Sequence, residues 1–391
     1  MRINVREMNL SKMKSISIIV PIYYGEKYIT GIISQIESCK SYMKEAVYIE
    51  LVFVNDSPDI PIYIKKKSEL IEIVVINCDS NIGIHGARVK GLKYCHGEYV
   101  LYLDQDDRIH PEYFSSQLQE IGENEAVVCA AVQAGKPFYT GNYILENMIT
   151  KDFILKEWNP IISPGQVLLK KDAIPGIWIK NILKNNGADD WFLWLCMMSE
   201  GKDFSKNQEV LFEHVEHGTN ASGNIMSMVQ SEQEVLEIVQ REHLFTEEEW
   251  RWLLKSYLYK NRLRTRELYS AKVKLDILNR WVYMKEKFTQ KLTEYGYKTA
   301  AIYGCGVLGN YIYDEIKNII HVKYFIDQKA KEIHKDIPVY MLKDDLKNVD
   351  CVIVTLAGET KDVVEQIQVN LCGKIIILKE WIESMGNLEK E

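Results

Sequence analysis

Three carboxylates, Asp104, Asp106 and Asp107, close the apolar run Tyr99-Val100-Leu101-Tyr102-Leu103. The aromatic and branched residues of that run predict a buried strand, so the acids sit where the strand leaves its sheet. Carboxylates crowded this closely repel one another and lose solvation, and a divalent cation with a diphosphate ligand offsets both costs. A solvated turn is the alternative, since Asp is common after strands. A second acid pair, Asp189-Asp190, precedes the apolar segment Trp191–Met198, where acids favour the start of a helix. A third feature is Gly304-Cys305-Gly306-Val307-Leu308-Gly309, between an expected strand at Lys298–Tyr303 and an expected helix at Asn310–Asn318, with Asp327 following. In that context Gly304, Gly306 and Gly309 would let backbone N–H groups approach a diphosphate, and Asp327 could hold a ribose. The same pattern also suits a packing or assembly module without a ligand.

The elements that must position these residues alternate. Ser15–Pro21, Tyr48–Val54, Ile71–Ile76 and the run before Asp104 read as strands, separated by helical segments up to about Ser41 and from Ala87 to Cys95. Alternation of this kind predicts an α/β fold with a doubly wound, mostly parallel sheet, which binds ligands at the carboxyl ends of its strands. Four polar clusters then share one sheet edge: Pro21 to Glu26, Asn55-Asp56, Asn81 to Arg88, and Asp104 to Asp107. Residues 1–14 read as an N-terminal extension, 15–225 as the first domain, 226–296 as a helical connector, and 297–391 as a small Rossmann-like α/β domain.

With 391 residues the chain exceeds one ordinary core. Its 47% hydrophobic and 26% charged composition is globular, and a net charge of −7 argues against nucleic acid as a partner. The eight cysteines are scattered without a CxxC pair, as expected for reduced thiols in a cytoplasmic protein. Met1 to Lys14 lacks the apolar centre of a signal peptide, and no run is long enough to span a bilayer.

The strand-end clusters carry a resemblance. Ser17-Ile18-Ile19-Val20-Pro21-Ile22-Tyr23, Val54-Asn55-Asp56-Ser57, Asn81-Ile82-Gly83 with Ala87-Arg88, and Leu103-Asp104-Gln105-Asp106-Asp107 resemble the ordered signature of family 2 glycosyltransferases with the GT-A fold. Ser163-Pro164-Gly165-Gln166, Gly187-Ala188-Asp189-Asp190-Trp191 and His217-Gly218-Thr219-Asn220 extend it to about Gly223. The resemblance implies a nucleotide-sugar donor site built from Pro21, Tyr23, Glu26, Asp56, Gly83, Arg88 and Asp104. Within it, Tyr23 would lie against the base, Asp56 would accept a base N–H, and Arg88 would contact base or phosphate. It also implies Mn²⁺ or Mg²⁺ on Asp106, with His217 as a further metal or diphosphate ligand and His214 as its alternative. Asp190 is implied as the catalytic base, and Gln166, Asp189 and Trp191 as acceptor contacts, with inversion at the anomeric carbon as the outcome. The sequence departs from the pattern at Asn55, usually an acid, at Ser57, where a glycine usually follows, and at Val215, usually an arginine.

The expected function is therefore sugar transfer from a nucleotide-diphosphate sugar, a UDP-sugar by expectation, to a glycan or lipid-linked acceptor in bacterial surface polysaccharide synthesis. Two other classes share the scaffold. A nucleotidyltransferase would want a glycine-rich basic loop after the first strand, which Pro21-Ile22-Tyr23-Tyr24-Gly25 does not supply. A nucleotide-sensing or scaffold module would use the Gly304 loop, holding a nucleotide or dinucleotide, and leave the acids without a task. Residues 255–291 form a basic, aromatic-rich helical stretch that could rest on the inner face of the plasma membrane or pack its aromatics on a domain.

Overall fold

The computed structural model describes residues 13–64, 68–141, 143–215, 225–333, 335–358 and 360–387. The chain divides into two compact units, the first ending at Asn261 and the second beginning at Arg262.

The first unit starts with β1 (Ser15–Ile22), α1 (Glu26–Tyr42), β2 (Tyr48–Asn55), β3 (Glu72–Asn77), α2 (Gly83–Tyr94) and β4 (Tyr99–Tyr102). It continues with β5 (Arg108–Ile109), α3 (Tyr113–Glu120), β6 (Ala126–Gln133), β7 (Lys136–Pro137), β8 (Val167–Lys170), α4 (Asp189–Ser199) and β9 (Phe204–His214). The sheet order is β3-β2-β1-β4-β8-β6-β9-β5, with β7 added beside β6. Strands β3, β2, β1 and β4 run parallel, with Ile18 level with both Leu51 and Leu101. Strand β8 is antiparallel to β4 and β6, which makes the sheet mixed, as the α/β expectation allowed.

Alternation along β1 explains the two layers, because successive side chains point to opposite faces. Ile16, Ile18, Val20 and Ile22 pack with Ile32, Ile36 and Cys39 of α1, while Ile19 packs on the other face with Ala87, Val89 and Leu92 of α2. Burying each of the larger aliphatic side chains contributes about 1.5–3 kcal/mol. The strand order turns back between β1 and β4, so the loops leaving those strands flank the crevice where such sheets bind ligands.

Two long helices follow, α5 (Ile225–Arg241) and α6 (Glu247–Glu294). Thr246 opens α6 with a capping box: its Oγ1 accepts from Glu249 N at 3.3 Å, and Glu249 Oε2 accepts from Thr246 N at 3.0 Å. The division between units falls inside α6, so the expected connector is shared between the two units.

In the second unit β10 (Thr299–Tyr303), α7 (Val307–Ile316), β11 (His321–Ile326), β12 (Val339–Tyr340), β13 (Cys351–Val354), α8 (Lys361–Asn370), β14 (Lys374–Ile377) and α9 (Leu378–Asn387) form a smaller α/β layer. Its sheet, ordered β12-β11-β10-β13-β14, is parallel throughout. Ile277, Trp281, Phe288 and Leu292 of α6 pack with Leu308, Ile312 and Ile316 of α7 on one face. Trp281 is therefore core, whereas Tyr259 and Tyr269 of the same helix stay exposed.

The glycine loop of this unit is closely packed. Gly304 has φ +99°, a conformation that favours glycine, and a Cβ on Gly309 would lie 1.8 Å from the Gly304 carbonyl oxygen. A Cβ on Gly306 meets nothing within 4 Å. Gly309→Ala is thus expected to lower stability by about 1–3 kcal/mol through overpacking, whereas Gly306→Ala should be close to neutral. Thermal unfolding of the two variants checks the contrast.

Candidate functional site

The loop after β1 is fastened to the acidic loop after β4. Gln105, between the acids, accepts from Tyr23 N at 3.1 Å and returns a bond to Tyr23 O at 3.4 Å. A Cβ on Gly25 would lie 1.9 Å from Gln105 Oε1, so a glycine there lets the two loops close. Tyr24 N donates to Ser57 Oγ at 2.7 Å. Pro21 is buried in β1, Glu26 is exposed, and the Tyr23 ring, 54% exposed, faces solvent at the crevice.

Asp56 is buried at the end of β2, where its two carboxylate oxygens accept from Ile82 N at 2.7 Å and Gly83 N at 2.9 Å. Burial raises its pKa, and these two backbone donors oppose the shift. The carboxylate expected to meet a base N–H thus also anchors the start of α2. Gly83, at φ +74°, is shaped by a second cap, Asn186 Oδ1, which accepts from Ile84 N at 3.1 Å. Asn55, which departs from the acidic pattern, is explained by its neighbours. Its Nδ2 donates to Ile60 O and to Asn77 Oδ1, both at 2.8 Å, which a carboxylate could not do.

Arg88 is turned inward from α2 and only 3% exposed. Its Nη2 lies 2.5 Å from Asp104 Oδ1 and its Nη1 2.5 Å from Asp189 Oδ2. The guanidinium expected to contact base or phosphate therefore joins the acidic loop of β4 to the start of α4. Asp189, expected to meet acceptor hydroxyls, has its side chain buried against Arg88, because an unpaired guanidinium there would be far costlier. Its carbonyl also accepts from Trp178 Nε1 at 2.8 Å. Gln166 is fully buried, accepting from Ile162 N at 2.7 Å and donating to Cys129 O at 3.0 Å and to Tyr139 Oη at 2.9 Å. Its amide satisfies core backbone groups and is not presented to an acceptor.

The remaining acids divide. Asp107 is buried, accepting from Ser163 Oγ at 2.7 Å and Val215 N at 3.2 Å, with His214 Nδ1 at 2.8 Å. The hydrogen bond to Asp107 raises the His214 pKa. Asp104 is partly exposed and its pKa is raised, chiefly by burial and against the pull of Arg88. Asp106 is half-buried at the same strand end. Among the described residues no three His, Cys, Asp or Glu side chains converge as a metal cage. A partly exposed Asp104 and Asp106 without a cage fit a Mg²⁺- or Mn²⁺-type cation that shares its coordination with a diphosphate. His217, with Gly218, Asn220 and Gly223, lies outside the described residues.

Asp190 stands at the first turn of α4, half-buried, with Oδ1 accepting from Trp191 N at 2.6 Å. Burial first, then the Asp189 charge, lift its pKa from 3.8 to about 7, against the opposing effect of Arg88. It lines a cleft of about 220 Å³ with Trp158, Asn159, Trp191, Tyr257 and Lys260. Lys260 is held at 2.9 Å by the buried Glu232. Helix α5 braces this corner: Ser231 Oγ accepts from Ala188 N at 3.0 Å, and Glu234 Oε2 accepts from Lys184 N at 2.8 Å.

Residues 17–180 match the family described as Glycosyl transferase family 2. Over that segment the chain is similar to family 2 glycosyltransferases. It is 32% identical over 180 residues to the minor teichoic acid biosynthesis protein GgaB of Bacillus subtilis (strain 168), covering 41% of this chain and 19% of that protein. It is 33% identical over 119 residues to the poly(ribitol-phosphate) beta-N-acetylglucosaminyltransferase TarS of Staphylococcus aureus (strain Mu50), covering 30% of this chain and 20% of the relative. The chain thus spans about a fifth of the length of these two relatives. The solved structure of S. aureus TarS 1–349 in complex with UDP-GlcNAc aligns with a TM-score of 0.47 at 17% identity, over 71% of this chain and 81% of that one.

Within the first unit several supports of the crevice and the cleft were not singled out from sequence. Gln105, Asn186 and Ser231 act through backbone bonds to distant loops, for which a sequence has no short-range signal. Tyr257 and Lys260 reach the cleft from outside the matched segment, and Trp158 from within it. In the second unit Asp327 accepts from Cys305 N at 2.8 Å and Lys329 N at 2.9 Å, so the acid expected at a ribose also ties down the glycine loop.

Two outcomes follow for the acids. Arg88→Met leaves Asp104 and Asp189 without their counter-charge and is expected to cost about 3–5 kcal/mol in denaturant unfolding. Asp190 has a folded-state pKa above its unfolded value, so ionisation penalises the fold increasingly as pH rises from about 4 to about 7. Asp190→Asn should therefore be neutral at pH 3.5 to 4 and stabilising above pH 7, by at most about 4 kcal/mol, as measured by unfolding across that range.

Proposed function

We propose that this protein is a metal-dependent, inverting glycosyltransferase. It moves a sugar from a nucleotide-diphosphate sugar, a UDP-sugar, to a hydroxyl of a glycan or lipid-linked acceptor in bacterial surface polysaccharide synthesis. The observation that carries the reading is the Arg88 bridge, which ties Asp104 at the donor crevice to Asp189, the neighbour of Asp190, in one buried contact. The relationship to GgaB, named for teichoic acid biosynthesis, supports a surface polymer as the product. Among the described residues no helix is long and apolar enough to cross a membrane. The reading puts catalysis on the cytoplasmic side, at the inner membrane face when the acceptor is lipid-linked.

Asp106, with Asp104 beside it, would hold Mn²⁺ or Mg²⁺ together with the donor diphosphate. The cation, when bound, neutralises charge on the departing diphosphate. Tyr23 offers its exposed ring to the base. Asp190 takes the proton of the acceptor hydroxyl, and its pKa of about 7 suits a base working near neutrality. Trp158, Trp191 and Tyr257 give the cleft aromatic faces on which an acceptor sugar can stack. With one base on the acceptor side, displacement is in line and the anomeric centre inverts.

Thermal stabilisation by UDP, GDP, CDP and TDP, with and without Mn²⁺, tests the donor assignment. A response to UDP that requires metal and is lost in Asp106→Ala is expected. Asp190→Asn should keep that response and lose about 10²–10⁴ of the transfer rate. Full transfer by Asp190→Asn would overturn the base assignment and favour a non-catalytic nucleotide-binding module.

A further inference from the structure

Within the second unit, helix α6 presents an apolar row that this unit leaves largely exposed. Leu268, Leu275 and Val282 are 48%, 59% and 59% exposed, and with the exposed Ala271 and with Leu278, which is half-buried against the core of the second unit, they alternate at three- and four-residue steps. That spacing is the a/d pattern of a heptad, with a at Leu268, Leu275 and Val282 and d at Ala271 and Leu278. At 3.6 residues per turn the row is centred about 120° around the helix from Ile277, Trp281, Met284, Phe288 and Leu292, which form the core of the second unit. The helix thus has one apolar face committed to its own domain and another left in solvent over about 21 Å.

We propose that this row pairs with the same row of a second copy of the chain, forming a parallel two-stranded coiled coil over Leu268–Val282. The flanking charges support a second copy in parallel register. Glu267 takes a g position and Lys272 the following e position, so in a parallel pair each Glu267 meets the partner helix's lysine, twice by symmetry. An antiparallel pair would set g against g and e against e and lose that match. The width of the row points the same way. Its side chains lie within about 80° of helix surface, the narrow seam of a coiled coil, whereas a helix lying on lipid needs a broader apolar face. Dimerisation through α6 would join two glycosyltransferase chains, doubling the sites that one polymeric acceptor can engage.

Sedimentation equilibrium of the full chain between about 1 and 100 μM tests the proposal, with a reversible dimer expected in that range. Leu275→Glu, at a solvent-facing position, should keep the helical circular dichroism and raise the dimer Kd by at least about tenfold. Tyr259→Glu, also exposed but outside the row, should leave it unchanged. Glu267→Lys and Lys272→Glu should each weaken the dimer, and the double exchange should restore it. Leu275→Cys should form an intermolecular disulfide under mild oxidation, as parallel register requires. A chain that stays monomeric to about 100 μM overturns the proposal, as does a dimer unaffected by Leu275→Glu. Loss of binding to phosphatidylglycerol vesicles in Leu275→Glu, with no change in mass, would assign the row to lipid and overturn it as well.

Discussion

A buried guanidinium between two acids is the interaction on which the site depends. Arg88 is surrounded by protein, and a cation so placed is tolerated only when its donors meet counter-charges. Asp104 and Asp189 supply them from opposite sides, one at the exit of β4 and the other at the start of α4. Because neither acid can leave without stranding the arginine, the loop after β4 and the start of α4 are held at a fixed spacing. The charge has a second consequence. Asp190, next to Asp189, feels both the neighbouring anion and the guanidinium, and burial tips the balance toward a raised pKa.

Elsewhere in both units, carboxylates at strand ends work as backbone anchors. Asp56 gathers two N–H groups at the start of α2, and Asp327 gathers two around the glycine loop after β10. Each satisfies donors that a helix start or tight loop leaves without partners. Asp107 does the same for Val215 while holding Ser163 and His214. Acids committed in this way hold the loops still, whereas Asp106 and Asp190 are only half-buried. The crossing of loops by Gln105 and Gly25 adds rigidity where β1 and β4 diverge, which is where a bound nucleotide would need it.

Helix α6 has a double character. Its basic, aromatic-rich composition suggested either a membrane surface or packing, and the structure divides those aromatics. Trp281 lies in the core of the second unit and Tyr257 lines the cleft of the first, while Tyr259 and Tyr269 remain in solvent. The glycine loop of the second unit is similarly accounted for by close backbone contact, since Gly309 sits directly on the Gly304 carbonyl. Close packing of helix on strand requires the same residues that a diphosphate would, so the spacing alone does not distinguish the two uses.

Much of this protein was legible from residues in order. The alternating apolar runs predicted the parallel strands β1 to β4 and β10, because strand periodicity and the breakers between strands are local properties. The acids after β4, the Asp189-Asp190 pair and the resemblance to family 2 glycosyltransferases were likewise present in short motifs. The antiparallel β8 and the long β9 were not, since which strands become neighbours is decided by pairing across the sheet. Which motif residues face inward was also out of reach. Arg88, Asp189 and Gln166 look like ligand contacts as residue types, but their direction depends on which partner completes the charge or hydrogen-bond balance, sometimes a hundred residues away. The sequence by itself determined the residue types, the order of the first strands and helices and the resemblance to a family. Tertiary structure decided which polar groups are satisfied by the protein and which stay open to a substrate, because burial and pairing exist only once distant segments meet.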